Sequence, residues 1–373
     1  MSKINDLMKQ YCPDGVEWKE LKDICTPLKN KTLKQNELIK NGEYQVINSG
    51  RDIYGYYSNY NNEGQSFTIA SRGEYAGFIQ YQDKRFWAGG LCYPYTSKNN
   101  SLISSKFIYY YLKYKEEYIM NILVSRGSIP ALNKNDIEKL QIPLPPLPIQ
   151  QEIVNILDKF TELEAELEAE LEGRKKQYEH YRNTLLTFGD DVEWKELGEV
   201  CEKILAGGDL PKEYDIHQSE QFKYPIYSNG TKEKALYGYT NSYKIDKEAI
   251  TISARGTIGY HEIRPANFTP IVRLITVIPN TNKILIKFLN YILDIALING
   301  SGGSIPQLTI PNIKKIKLPV PPLPVQEKIV TILDKFDKLV NDIKEGLPAE
   351  IALRRKQYEF YRNKLLDFKD MEK

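Results

Sequence analysis

The sequence predicts an α+β chain written twice, in which two mixed α/β modules are separated by two long helical spacers. Three observations carry this. Sequence blocks recur in order at a nearly constant offset, β-branched runs bounded by turn residues fill one part of each copy, and a 4-3-4-3 apolar seam fills the other.

The repeats come first. VEWKEL at 16–21 returns at 192–197, and GSIPAL at 127–132 returns as GSIPQL at 303–308. LPPLPIQQEIVNILDKF at 144–160 matches VPPLPVQEKIVTILDKF at 320–336, all three at an offset of 176. RKKQYEHYRNTLLTF at 174–188 matches RRKQYEFYRNKLLDF at 354–368, now at 180. Between these blocks the copies diverge. Tyr224–Gly230 only faintly resembles Tyr44–Gly50, and Thr251–Gly256 resembles Thr68–Gly73. Each copy is therefore a divergent module followed by a well-matched one: 1–142, 143–188, 189–318 and 319–373. One shared job and two individual ones follow from that contrast.

The divergent modules read as short strands in a mixed fold. Phe67–Ala70, Ala249–Ile252 and Ile271–Ile278 are β-branched runs bounded by Gly, Asn and Pro. Each module also carries one helical stretch, near 104–123 and 282–299. Most of the 27 tyrosines fall here, chiefly as strand and core aromatics, with base or sugar contact the alternative for a few of them.

The matched modules read as helices. Ile149, Ile153, Ile156, Phe160, Leu163 and Leu167 form the seam of a coiled coil, and Tyr178, Tyr181, Leu185 and Phe188 resume it. Pro148 sits in the first turn, where its missing N–H has no helical partner to lose. The second copy repeats the stripe at Val325, Ile329, Ile332, Phe336, Leu339 and Ile343. Four extra residues then arrive with Gly346-Leu347-Pro348, which should break this spacer into two helices. So long an amphipathic rod must bury its stripe. Its own repeat, packed antiparallel with the two modules at opposite ends, is the natural partner; trimerisation or a foreign helix is the alternative.

Charge and composition narrow the class. The net charge is only +2, from 51 Lys and Arg against 49 Asp and Glu, but six of those acids lie within 161–172. The remainder is moderately basic, which is compatible with phosphate contact. Four scattered cysteines without a C-x-x-C pair fit reducing cytoplasm better than a disulfide framework or zinc knuckle. No apolar run is long enough to span a bilayer, and Met1–Asp6 lacks a signal-peptide core.

Catalytic motifs are missing. The sequence holds no nucleotide-binding G-x-x-x-x-G-K-[ST], no G-x-G-x-x-G after a strand, no H-E-x-x-H and no Asn/Asp-Pro-Pro-aromatic motif of an amino-methyltransferase. His180, His217 and His261 share no metal-ligand spacing. Pro13-Asp14 before Glu17-Trp18-Lys19 imitates a nuclease metal motif, but the interval is too short to bring two carboxylates from separate strands to one ion. It reads instead as the start of each module's first strand. The Pro-Pro-Leu-Pro pairs at 145–148 and 321–324 read as rigid connectors before a helix rather than as polyproline ligands.

For DNA contact the candidates are polar, glycine-bearing turns with one cation. They comprise Ser49, Gly50 and Arg51; Arg72 and Gly73; Ser228, Asn229 and Lys232; and Arg255, Gly256 and Thr257. Glycine lets backbone approach phosphate closely, and arginine pairs bidentately with guanine O6 and N7. Arg126, Lys134, Lys314 and Lys315 are further cations that meet either phosphate or solvent.

Taken together, these features resemble the specificity subunits of Type I restriction–modification systems over essentially the whole chain. The most specific elements are the two Pro-Pro-Leu-Pro-x-Gln blocks ending at Gln150 and Gln326, the paired Arg-Lys-Gln-Tyr-Glu helix ends, and the G-S-I-P-x-L turns. Ser253–Gly259 and Leu347–Ile351 fit as well. The resemblance implies two target-recognition domains held apart by two antiparallel helical spacers in pseudo-two-fold array. Each would read half of a bipartite double-stranded DNA target. It implies a non-catalytic chain whose spacers dock two modification (methyltransferase) subunits, with up to two restriction (motor-nuclease) subunits joining. S-adenosylmethionine, ATP and magnesium would belong to those partners. The expected spacer or docking residues are Pro145, Leu147, Gln150, Ile153 and Phe160, with Pro321, Leu323, Gln326, Ile329 and Phe336 in the second copy. The tandem Glu-Leu-Glu-Ala units at 162–169 resemble repeats whose number tunes the gap between half-sites.

Overall fold

The computed structural model describes residues 2–296 and 308–369. These form two compact units. The first runs to Glu168 and takes in the chain again from Glu350; the second spans Ala169–Ala349.

The first unit is built on a four-stranded antiparallel sheet in the order Cys25–Pro27, Cys92–Ser97, Ser66–Ala70, Ile79–Gln82. Ser66–Ala70 is buried along its whole length, as an inner strand covered on both faces requires. The helix Ser105–Tyr114 packs on this sheet, started by the Ser104 hydroxyl, which accepts from the Phe107 amide at 3.1 Å. A smaller sheet pairs Tyr44–Ile47 antiparallel to Gly55–Tyr57 and parallel to Phe86–Ala88. Glu17–Glu20 pairs antiparallel with Gln141–Leu144, so the module's first strand meets its last just before the spacer helix.

The second unit repeats this plan. Its main sheet runs Cys201–Ala206, Ile275–Pro279, Ala249–Ile252, His261–Arg264, and its smaller sheet again joins one parallel pair, Tyr224–Tyr227 with Thr269–Pro270. Trp194–Glu196 closes on Lys317–Pro319, and Ile286–Ile295 is the packed helix. The expected first strands of the modules, the buried runs Phe67–Ala70 and Ala249–Ile252, and a packed helix in each module are present.

Two expectations change. The run 271–278 is strand only from Ile275, because Val272 and Arg273 take left-handed φ of 51° and 59°. The Val272 amide donates to the Gly208 carbonyl at 3.0 Å, so this stretch turns toward another segment instead of extending. The stretch 104–123 is not one helix either. It breaks at Lys115 and ends in a π-turn over Ile119–Leu123. Residues 297–299 and 303–307, which hold the end of the second stretch and most of GSIPQL, lie outside the described residues.

The first spacer is one helix of 39 residues, Leu147–Leu185, about 58 Å at 1.5 Å per residue. The second breaks as expected, into Leu323–Asn341 and Leu347–Leu366. Within the first unit the last helix runs antiparallel along the first spacer. Phe160 stacks on Tyr361 with ring centroids 5.4 Å apart, and Arg355 binds Glu164 and Glu168 further along. Within the second unit Tyr178 and Tyr181 stack on Phe336.

The seam is not the simple stripe expected. Val325, Ile332 and Ile343 are exposed, whereas Gln326, Ile329, Leu333 and Val340 are buried. Val154 and Leu157 join Ile149 and Ile153 in the first unit's core. Each spacer start faces its own module before it faces another helix, and that rotates the buried side.

Candidate nucleic-acid interface

In the first unit the candidate turns lie against one another. A Cβ placed on Gly73, whose φ is +98°, would sit 3.9 Å from the Ser49 hydroxyl. The Arg51 guanidinium lies 4.9 Å over the Tyr75 ring, a cation–π contact that holds it beside the Arg72–Gly73 turn. Backbone bonds tie the group together: Ser71 N to Leu91 O at 2.9 Å, Gly73 N to Pro130 O at 2.9 Å and Leu132 N to Ser71 O at 2.8 Å. The G-S-I-P-A-L turn thereby joins the cluster. Arg51 and Arg72 are exposed.

The second unit assembles its candidates in the same way. Asn229 Oδ1 accepts from the Ala254 amide at 2.7 Å, and its Nδ2 donates to the Val272 carbonyl at 2.6 Å. The Ser253 hydroxyl donates to Gly230 O at 3.3 Å, and the Lys232 amide to the Tyr260 hydroxyl at 3.0 Å. Leu308 N to Ala254 O, at 3.0 Å, repeats the Leu132–Ser71 bond. Lys232, Arg255, Gly256 and Thr257 are exposed, and a Cβ on Gly256 would meet nothing within 4 Å. Each unit thus presents cations on a rigid frame of mutually bonded turns, with room for another backbone to come close.

The sequence reading named Asn229 as a DNA contact and did not single out Asn48; both amides hold these frames. Asn48 Oδ1 accepts from Leu91 N at 2.9 Å, as Asn229 bridges its own turns. Their shared setting in Tyr44–Gly50 and Tyr224–Gly230 was the available signal. Arg273 was missed too, hidden in a run that looked like strand. It is exposed on the left-handed turn that Asn229 grips through Val272.

The proline–glutamine blocks do something different. Gln150, 1 % exposed, accepts from Ser104 N at 3.0 Å and donates to Leu102 O at 2.9 Å and Pro145 O at 2.7 Å. Gln326, fully buried, makes the matching set with Leu285 N, Lys283 O and Pro321 O at 2.8, 3.0 and 2.8 Å. About two turns further along each spacer helix, the Tyr110 hydroxyl donates to Asp158 at 2.5 Å and the Tyr291 hydroxyl to Asp334 at 2.8 Å. Burial, reinforced by those carboxylates, drives both tyrosine pKa values up. Each spacer is therefore bolted to its module twice. Gln150→Ala or Gln326→Ala should each destabilise the protein by about 3 kcal/mol, because one buried and two partly buried backbone groups lose their partner. Denaturant unfolding of each variant measures this.

Pro145 and Pro321 are buried at the same joints, as are Ile153 and Ile329, whereas Leu147 is exposed and Leu323 half-buried. Phe160 and Phe336 are half-buried in the helix pairs. Among the described residues no group of three His, Cys, Asp or Glu is gathered as a metal site, and no helix is long and apolar enough to cross a membrane. Burial pushes the Cys25, Cys92 and Cys201 thiols up to about 12, far from reactive thiolates.

The chain matches the family described as Type I restriction modification DNA specificity domain twice, over residues 13–173 and 189–353. It is 36% identical over 332 residues to a putative type I specificity subunit of Mycoplasma pneumoniae, covering 84% of this chain and 97% of the relative. It is 31% identical over 417 residues to the specificity subunit of the type I restriction enzyme EcoR124I/EcoR124II of Escherichia coli, covering 99% and 98%. Its fold is similar to the crystal structure of the S subunit of a Type-I restriction-modification system from M. genitalium. That match has TM-score 0.65 and 21% identity, over 96% of this chain and 97% of that one.

Proposed function

Because this chain belongs to the Type I restriction–modification DNA specificity family, we propose a division of labour within it. The chain is the non-catalytic DNA-recognition component of such a system. Residues 1–142 and 189–318 are its target-recognition domains, and 143–188 and 319–373 its spacers. Each domain reads one half of a bipartite target through its turn cluster. The carrying observation is that both units close the same backbone bond onto the turn bearing the shared arginine, Leu132 N to Ser71 O beside Arg72 and Leu308 N to Ala254 O beside Arg255, while the second exposed cation differs, Arg51 in one and Lys232 in the other. A shared frame with differing surroundings suits two different half-sites.

The spacers set the gap and dock two methyltransferase subunits, with up to two motor-nuclease subunits joining. Exposed apolar side chains on the spacer helices, Leu147, Val325, Ile332, Leu353 and Phe360, support that docking role. S-adenosylmethionine, ATP and magnesium sit in those partners, and the complex works in the cytoplasm.

Arg72→Ala and Arg255→Ala test the reading. Each should weaken binding of the cognate duplex by about 1–3 kcal/mol and relax selectivity in one half-site only. Selection from randomised duplexes, bound by the complex of this chain with its modification subunits, measures both. Unchanged selectivity in both variants would remove these turns from the interface. Methylation by the purified chain alone with S-adenosylmethionine would sink the non-catalytic reading.

A further inference from the structure

The two modules close the cation-bearing turn in the same way but lock it differently. In the first, Ala70 N bonds Phe78 O and Gly77 N bonds Ala70 O, both at 2.8 Å; in the second, Ser253 N bonds Tyr260 O at 2.8 Å and Gly259 N bonds Ser253 O at 3.0 Å. Gly77 and Gly259 share left-handed φ, +93° and +83°. On the strand that follows, Ile79 stands opposite Ile69, and His261 takes the corresponding place opposite Ile252. The first lock is the Glu116 carboxylate, which accepts from Ile79 N at 2.9 Å and is paired with Lys113. The second lock is the His261 ring.

That ring faces oxygen at both nitrogens. Nδ1 is 2.9 Å from Gly259 O, while Nε2 is 3.1 Å from Asn290 O and 3.4 Å from Asp294 Oδ1. Carbonyl oxygens only accept, and a neutral imidazole carries a single N–H, so one nitrogen would set its lone pair against an oxygen lone pair. Only the imidazolium donates both ways. The side chain is 8% exposed, and Asp294 supplies the countercharge such burial demands. The neighbouring charges are otherwise engaged. Glu262 pairs with Arg264 and accepts from the Tyr260 hydroxyl, and Lys287, on the same helix as Asp294, pairs with Asp334. Arg255 projects from the exposed tip of the turn.

We propose that His261 is a positioning residue of the second recognition domain: as an imidazolium it clamps the Arg255–Gly259 turn to the helix Ile286–Ile295, so that only the second half-site is read less well as pH rises. The claim rests on these turns facing DNA. Burial by itself pulls the His261 pKa down, but the Asp294 carboxylate and the Gly259 and Asn290 carbonyls outweigh it and leave it above the ordinary 6.5. The clamp is therefore complete below that ordinary value and is lost as pH climbs through the raised one.

Histidine-selective labelling of the full chain gives a readout free of any variant, because there are only three histidines and the other two, His180 and His217, are exposed. His261 should titrate above the ordinary 6.5; titration at or below that value overturns the clamp. Hydrogen exchange, corrected for intrinsic rates, should show amides 253–260 losing protection by up to about tenfold per pH unit beyond that midpoint. Amides 70–78 should hold, and His261→Gln should abolish the pH response. Equal pH responses in the two turns would also overturn it. In DNA binding by the full complex, selectivity at one half-site should fall over the same pH range. If the exchange result holds and selectivity does not move, the clamp does not govern reading. If neither half-site depends on its turn at any pH, it is the DNA-facing assignment that fails.

Discussion

Exchanging residues 22–126 for the matching module of another family member is expected to replace one half of the DNA target and leave the other half as it was. The exchanged segment holds Ser49–Arg51 and Arg72–Gly73, and the first unit has its own closed core. The graft should also seat properly. Gln150 holds the module through the backbone of Leu102 and Ser104, groups that any sequence supplies, and a grafted module that keeps a tyrosine at position 110 retains the second bolt to Asp158. With each mismatched base pair costing about 1–3 kcal/mol, several mismatches in one half should lower affinity for the original target at least about a hundredfold. Methylation-sensitive sequencing of a host expressing the exchanged chain gives the motif directly. A target unchanged in both halves would mean that the divergent modules do not read DNA.

Inserting one more Glu-Leu-Glu-Ala after Ala169 should lengthen the gap while both half-sites persist. Four helical residues add about 6 Å, against about 3.4 Å per base pair along the duplex, so the gap should grow by about one or two base pairs. The insertion point lies between two pairings and alters no residue of either, Phe160–Glu168 against Arg355–Tyr361 in the first unit and Tyr178–Tyr181 against Phe336 in the second. The same sequencing reads the outcome. Altered half-sites at an unchanged gap would end the idea of a rigid spacer.

Much of this architecture was legible in one sequence because the chain supplies its own comparison. The blocks that match at an offset of 176 became the spacer starts and the first strands, and the Gly346-Leu347-Pro348 insertion became the break in the second spacer. Arg72 and Arg255 were found because an Arg-Gly pair after a β-branched run survives in both copies. Asn48 was not singled out from its turn and Asn229 was named only as a DNA contact, since an amide's framing role is hidden until its bonds to distant segments are known.

By itself, the sequence determined the duplication, the order of strands and helices, and which parts of each copy are alike. Those are properties of local pattern and of repetition. Only the tertiary structure decided which side of each spacer is buried. A 4-3-4-3 seam assumes one neighbour, but each spacer start has two, its own module and a helix end, and so Ile332 is exposed while Gln326 is buried. It also turned Asp158 and Asp334, which look like solvent-facing carboxylates, into acceptors for buried tyrosines. And it showed that both nitrogens of His261 are spoken for, a fact that depends on three oxygens brought from a turn and a helix that the sequence keeps about thirty residues apart.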